Sequence, residues 1–345
     1  MKKRLFLLIT IPVLLMYYPI HAQEYRNSLV TPYQEVPLTE TQNIIFSSSF
    51  QLAWKMLEND ILKSQVRVKK DLPLVDYLNN SDPSPINPEN SVNLAGFVKA
   101  GIDRNISEEI KHKFNKTIDL SQYTEDPYTI ICYSFFQINV QFNTKFETFS
   151  QPFPFYSGET TSDIACFGIW STGNSEQHQG IRELVRVIDP KSAEDFILSI
   201  SNPGEDDEII IAQCKPAGTL IETIEGVTER IKSSEPTTLA DNDRLVIPKV
   251  VIHADKKYEE LYGVHLANPN FERYFFAEAT QSIGFELNES GAFADSEATI
   301  VLKKGPGPRT LIINHPFLIM MREKTSGQPY FAAWIANPEL LVEAN

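Results

Sequence analysis

The chain has 345 residues, a formal net charge of −14 and 3 cysteines. An acidic surface repels phosphate, and no basic stripe interleaved with aromatics overrides it, which speaks against nucleic acid as a partner. Cys132, Cys166 and Cys214 lie far apart and can form at most one pair, so a disulfide framework is not indicated.

Lys2-Lys3-Arg4, the apolar run Leu5 to Tyr18 and the small Ala22 ahead of Gln23-Glu24 read as a secretory signal peptide over residues 1–22. The run is shorter than the roughly 18 to 20 residues a membrane span needs, and no later segment is apolar enough to supply one. The mature chain, residues 23–345, is therefore expected to be secreted or periplasmic and to fold as a single domain. Ser47-Ser48-Ser49 offer N-caps, and Phe50, Trp54, Leu57 and Ile61 recur at helical spacing, predicting a helix buried on a broad face. The Asn-, Ser- and Pro-rich stretch Asn79 to Asn90 reads as a surface loop. A second helix is predicted from Ser107 to about Asn115, capped by Ser107 and carrying Ile106, Ile110 and Phe114 on one face.

From Tyr128 the character turns to strand, first in the β-branched and aromatic run Thr129 to Phe136. Further strands are expected at Gln151–Tyr156, Asp163–Trp170, Leu184–Val187, Phe196–Ser199 and Glu208–Gln213. Leu220, Ile224, Val227 and Ile231 mark a helix over Thr219 to Ile231. Strand returns at Leu245–His253, a short helix is expected at Lys257–Tyr262, and strands follow at Ile283–Leu287 and Ala298–Lys303. After a break at Gly305 to Pro308, a hairpin closes the chain, with strands Leu311–Met321 and Tyr330–Ala336 about a Thr325-Ser326-Gly327 turn. Long strands, few helices and no regular β-α alternation predict an α+β domain of mostly antiparallel sheets.

Catalysis needs convergent groups. His112, His178, His253, His265 and His315 have no partner at a zinc spacing, and there is no nucleophile elbow, phosphate-cradling glycine loop or EF-hand loop. Glu205-Asp206-Asp207-Glu208 reads as a solvated turn rather than a calcium site. The expectation is a protein without enzyme activity, metal or cofactor.

Ile313-Asn314-His315-Pro316-Phe317-Leu318-Ile319-Met320 resembles the penultimate strand signature of the serpin family, and Tyr330 to Pro338 (YFAAWIANP) resembles its last strand and closing Asn-Pro. Ile247-Pro248-Lys249-Val250 is similar to its Leu-Pro-Lys-Phe strand, Glu289-Ser290-Gly291 to its hinge, and Asn43 to Ser47 to the strand before its buried helix B. The likeness covers the C-terminal region well, the middle loosely and residues 60–125 poorly. It implies a serpin-like α+β fold with an exposed reactive-centre loop. In that family a protease cleaves the loop, and the freed arm enters a large sheet as a new strand.

Such an arm must alternate, with small or apolar residues facing the core. Ala292, Ala294, Ser296, Ala298, Ile300 and Leu302 meet that demand, and the other set, Phe293, Asp295, Glu297, Thr299, Val301 and Lys303, suits an outward face apart from Phe293. The resemblance implies a hinge at Glu289 and Gly291 and a reactive bond at Lys304-Gly305, which with Lys303 points to a trypsin-like extracellular protease as partner. Several positions depart from the family pattern. Asp295-Ser296-Glu297 puts charge where small residues are usual, Val140 replaces a tryptophan, and of the positions matching the family's hydroxyl, asparagine and histidine shutter, Ser47, Phe50, Cys132 and Gln281, only Ser47 is kept. No helix is evident before Asn43, and the segment between the first helix and Tyr128 is short for the family's helices. These departures favour the other reading, a non-inhibitory binding module that engages another protein.

Overall fold

The computed structural model describes residues 25–83, 86–137, 141–170, 176–290 and 309–344. The strands in chain order are β1 (Ser28–Thr31), β2 (Asn43–Ser47), β3 (Ser91–Phe97), β4 (Ile130–Phe136), β5 (Glu147–Thr148) and β6 (Phe153–Ser157). They continue with β7 (Thr160–Ile164), β8 (Cys166–Ile169), β9 (Val185–Ser192), β10 (Asp195–Ile200), β11 (Asp207–Gln213) and β12 (Thr237–Thr238). The last are β13 (Arg244–Pro248), β14 (Val250–Lys257), β15 (Thr280–Leu287), β16 (Thr310–Ile312), β17 (Phe317–Glu323) and β18 (Pro329–Ile335). The helices are α1 (Ser49–Met56), α2 (Pro73–Asn80), α3 (Ile102–Phe114), α4 (Glu176–Leu184) and α5 (Leu220–Ser233). The fold is α+β with mostly antiparallel sheets.

An eight-stranded sheet in the order β1-β2-β18-β17-β11-β10-β9-β12 forms the middle layer. Its central strands read as nearly continuous apolar runs because both faces are covered. Ile319, Met321, Phe331 and Ala333 face the main core, while Leu318, Met320, Ala332 and Trp334 face the cluster under α5. Thr219 and Glu222 close a reciprocal capping box at the start of α5, so that helix begins where its sequence pattern does. A four-stranded sheet, β16-β13-β8-β5, and the pairs β14–β15, β3–β4 and β6–β7 complete the strands of the described residues.

The first helix forms as expected, but its serines do not cap it. Ser48 holds helical torsions (φ −73, ψ −8) rather than the extended ones that let a hydroxyl reach back to the first-turn amides. A π-helical turn, Leu57–Leu62, carries α1 on to Lys63. Trp54, Leu57 and Leu62 then pack with Leu74 and Leu78 of α2, and Trp54 Nε1 donates to Asn79 Oδ1 at 2.9 Å. Asn79 and Asn80 thus end a helix rather than begin a loop.

The second helix starts at Ile102, behind the left-handed Gly101 (φ 83), and Ser107 sits inside it with its hydroxyl donating to Asp103 O. The predicted strand Leu245–His253 divides at Pro248-Lys249, so that β13 and β14 join different sheets. Asp163–Trp170 divides likewise at Ala165 into β7 and β8. Strand extends to Lys257, and turns replace the expected helix at Lys257–Tyr262, because Tyr258 is held by the partner strand: its N–H donates to Ala279 O and its hydroxyl to Gln281. The first strand of the closing hairpin separates into β16 and β17 around Asn314-His315-Pro316, where the amides of Asn314 and His315 donate to Gln213 Oε1. β1, β3, β5, β12, α2 and α4 have no counterpart among the elements predicted from the sequence.

All cysteines are free, and burial pushes the Cys166 thiol up to about 12. The acidic run is not one solvated turn. Asp207 and Glu208 belong to β11, where Glu208 lies opposite Arg322 of β17. Arg322 Nε and Nη2 both reach Glu208 Oε1 at 2.9 Å, and Ser199 Oγ donates to Oε2 at 2.5 Å, with both charged side chains under a tenth exposed. A charge stripped of its partner there is left dry. Arg322→Ala is expected to cost about 3–5 kcal/mol in a urea unfolding titration. The double change Arg322→Met, Glu208→Leu should recover most of that loss.

Candidate functional site

The strand pairs β3–β4 and β14–β15 lie against α1, which touches β3, β4 and β15. Among the described residues β4 is bonded only to β3 and β15 only to β14, so each has one edge without a strand neighbour among them. These edges flank a cleft of about 430 Å³, lined on one side by Ser134 to Gln137 and on the other by Ser282 to Asn288. Phe142, Ile209, Met321 and Phe331 line it from the core, and Ser47 and Ser49 from the start of α1. A strand edge of this kind is a template for another strand.

Both walls alternate. In β15, Gln281, Ile283, Phe285 and Leu287 are buried, while Thr280, Ser282, Gly284 and Glu286 are exposed. In β4, Cys132 and Phe136 pack toward the interior clusters, and Ile131, Tyr133 and Phe135 pack toward α3. The cleft therefore has an inner apolar side and an outer side bordered by α3.

At the start of α1 the positions singled out in the sequence come together. Gln281 Nε2 donates to Ser47 O and Ser49 Oγ, both at 3.0 Å, and its Oε1 accepts from Tyr258 at 2.7 Å. The Phe50 ring lies 4.2 Å from that of Tyr258, and Cys132 packs on the same cluster. Burial pushes the Cys132 thiol up to about 12, so it stays neutral and acts as a small apolar group. These contacts tie β15 to the start of α1. Tyr258 and Ser49 carry no mark in the sequence that pairs them with Gln281.

At the other end of β15, Glu289 Oε2 meets Lys249 Nζ at 2.6 Å and Oε1 lies 3.8 Å from Lys145 Nζ, while Phe146 N–H donates to Glu289 O. Burial alone would raise this carboxyl, but the Lys249 hydrogen bond and the charges of Lys249 and Lys145 outweigh it and hold it below the usual carboxylate range. Arg309, at the far end of segment 291–308, is fastened to the buried Asp243. Its N–H donates to Oδ1 at 2.6 Å, and its Nε and Nη2 donate to Oδ2 at 2.8 and 2.6 Å. Of the site residues predicted from sequence, Glu289 lies within the described residues and is held just after β15 by these contacts. Gly291, Ala292, Ala294, Ser296, Ala298, Ile300, Leu302, Lys304 and Gly305 lie outside the described residues, as do Val140 and residues 1–22. Among the described residues no helix is long and apolar enough to cross a membrane.

Gln281→Ala would strand the Tyr258 hydroxyl and release β15 from α1, and is expected to cost about 1–3 kcal/mol by thermal or urea unfolding. The lowered carboxyl of Glu289 contributes stability that is full above the ordinary glutamate value, about 4.3, and is lost as the pH falls through the lower folded value. Glu289→Gln should therefore flatten the stability profile in that acid window and lower stability at neutral pH.

No family model matches the chain. Curated proteins match it locally: Serpin-Z2B of Triticum aestivum is 35% identical over 77 residues, covering 21% of this chain and 19% of that protein. Plasminogen activator inhibitor 1 of Sus scrofa is 26% identical over 107 residues, covering 27% of each. The chain thus spans about a fifth to a quarter of the length of these relatives. Among solved structures, a serpin from the trematode Schistosoma haematobium aligns at 15% identity and a TM-score of 0.41, covering 70% of this chain and 64% of that one. Thyroxine-binding globulin in complex with thyroxine aligns at 14% identity and a TM-score of 0.41, covering 69% and 65%. By its closing strands and by these local matches, the chain resembles the serpin family.

Proposed function

We propose that this protein is an exported, serpin-like inhibitor of a trypsin-like protease, bait rather than catalyst. One observation supports the reading: the cleft between the facing edges of β4 and β15 begins beside Glu289, the anchored residue that leads into the segment to which the reading assigns the reactive bond. The protease serine attacks the Lys304 carbonyl, the peptide bond to Gly305 breaks, and Lys304 stays esterified to the enzyme. The arm from Ala292 to Lys303 then folds back from the end of β15 and enters the cleft, satisfying the backbone of both edges. Ala292, Ala294, Ser296, Ala298, Ile300 and Leu302 suit the inner side. The acyl-enzyme is carried with the arm and distorted before water can release it. Export through residues 1–22 brings the inhibitor to extracellular proteases.

The second reading, a non-inhibitory binding module, draws on Gln281. Its bonds to Ser47, Ser49 and Tyr258 fasten β15 to α1 and resist the wall movement a whole strand demands. Incubation with trypsin decides between the two. A trap gives a complex that survives SDS and, once the arm is cut, a nicked chain that melts well above the intact one. Cleavage with no complex and no change in melting temperature would leave only the binding module.

A further inference from the structure

A second cleft, of about 650 Å³, shares no lining residue with the one between β4 and β15. Its walls are the segment after β1, one side of α2, the first turns of α5 and the turn that joins β17 to β18. Two of these walls are fastened together: Ile221 N–H donates to Gln34 O at 2.8 Å and Leu220 N–H to Val36 O at 3.0 Å. Within the lining the rings of Tyr33 and Tyr77 stack, with centroids 4.5 Å apart and planes 14° from parallel. Tyr77 remains 38% exposed, so part of its π surface is open to solvent.

Glu35, Asp76, Asp82 and Glu225 line the same space, and each is exposed. Among the described residues none of these carboxylates is in an ion pair, and no Lys, Arg or His lines the cleft. Carboxylates alone would be no more than a solvated face. Gln51, only 8% exposed, lines the cleft as well: its Nε2 donates to Pro32 O at 2.8 Å, and its Oε1 has no donor among the described residues. A buried amide oxygen left in that state gains from a ligand N–H. The aromatic faces attract cations, and Ile221 and Ile224 offer contact to a hydrocarbon body. An anion is repelled here, and a bare metal ion makes no use of the rings or the isoleucines.

We infer that this cleft binds an organic polyamine, a run of ammonium groups joined by methylenes. The carboxylates answer its charges, the open face of Tyr77 takes one ammonium, and the Gln51 amide oxygen accepts an N–H. The inference goes beyond the inhibitor reading and does not depend on it, because the two clefts have separate linings. Isothermal titration calorimetry of the full-length protein with spermidine at low ionic strength tests it. Saturable binding at a single site is expected, weakened by added salt. Tyr77→Phe should keep the affinity, and Tyr77→Ala should lower it about threefold to thirtyfold. Glu225→Gln with Asp82→Asn should lower it as well, whereas Glu259→Gln with Glu260→Gln, outside the cleft, should leave it unchanged. Magnesium at matched ionic strength should give no saturable heat. Heat that does not saturate, binding that magnesium reproduces, or equal affinity in Tyr77→Ala marks mere screening of an acidic protein and overturns the site. Tyr77→Leu replaces the Ala variant if the latter does not fold.

Discussion

Along the facing edges of β4 and β15 the backbone N–H and C=O groups have no strand neighbour among the described residues. Most of what is distinctive in this molecule follows from that shortfall. The cleft exists because two strand pairs rest on α1 without joining. Its inner side is apolar because the strands of the eight-stranded sheet turn one residue set toward it, and its outer side is framed by α3. Such edges would gain hydrogen bonds from any strand that paired with them.

Polar contacts hold the cleft at several points. Gln281 fastens β15 to α1, Glu289 fastens its end to Lys249, and Arg309 fastens the downstream chain to Asp243. Asp243 and Gln281 are almost wholly buried, so their bonds are shielded from water, while the Glu289–Lys249 pair is partly exposed. The Glu208–Arg322 pair does the same work inside the eight-stranded sheet, pinning β11 to β17 where an apolar ladder alone leaves register weakly specified.

The elements legible in the sequence are those whose own pattern coincides with their burial. β17 and β18 are apolar on both faces, β15 alternates strictly, and α5 carries its own capping box. β3 was not legible. Its sequence SVNLAGF holds Asn93, Ala95 and Gly96, and it is a strand because β4 pairs with it. Gly96 belongs there because a Cβ would stand 3.2 Å from Ile102, where α3 crosses closely. α3 was read too short because its true start depends on the left-handed torsion of Gly101. In the candidate site, Gln281 and Cys132 were visible as departures from a family pattern. The partners Ser49 and Tyr258 lie far off in sequence and become neighbours only through the fold.

The position of β17 and β18 has a further consequence. A cut between Lys304 and Gly305 makes residues 305–345 a separate peptide, yet that peptide carries two strands from the middle of the eight-stranded sheet. β17 is laced to β11 on one side and β18 to β2 on the other. The smaller fragment is thus clasped between halves of the larger one, and the two behave as a single folded body until the sheet itself is unmade.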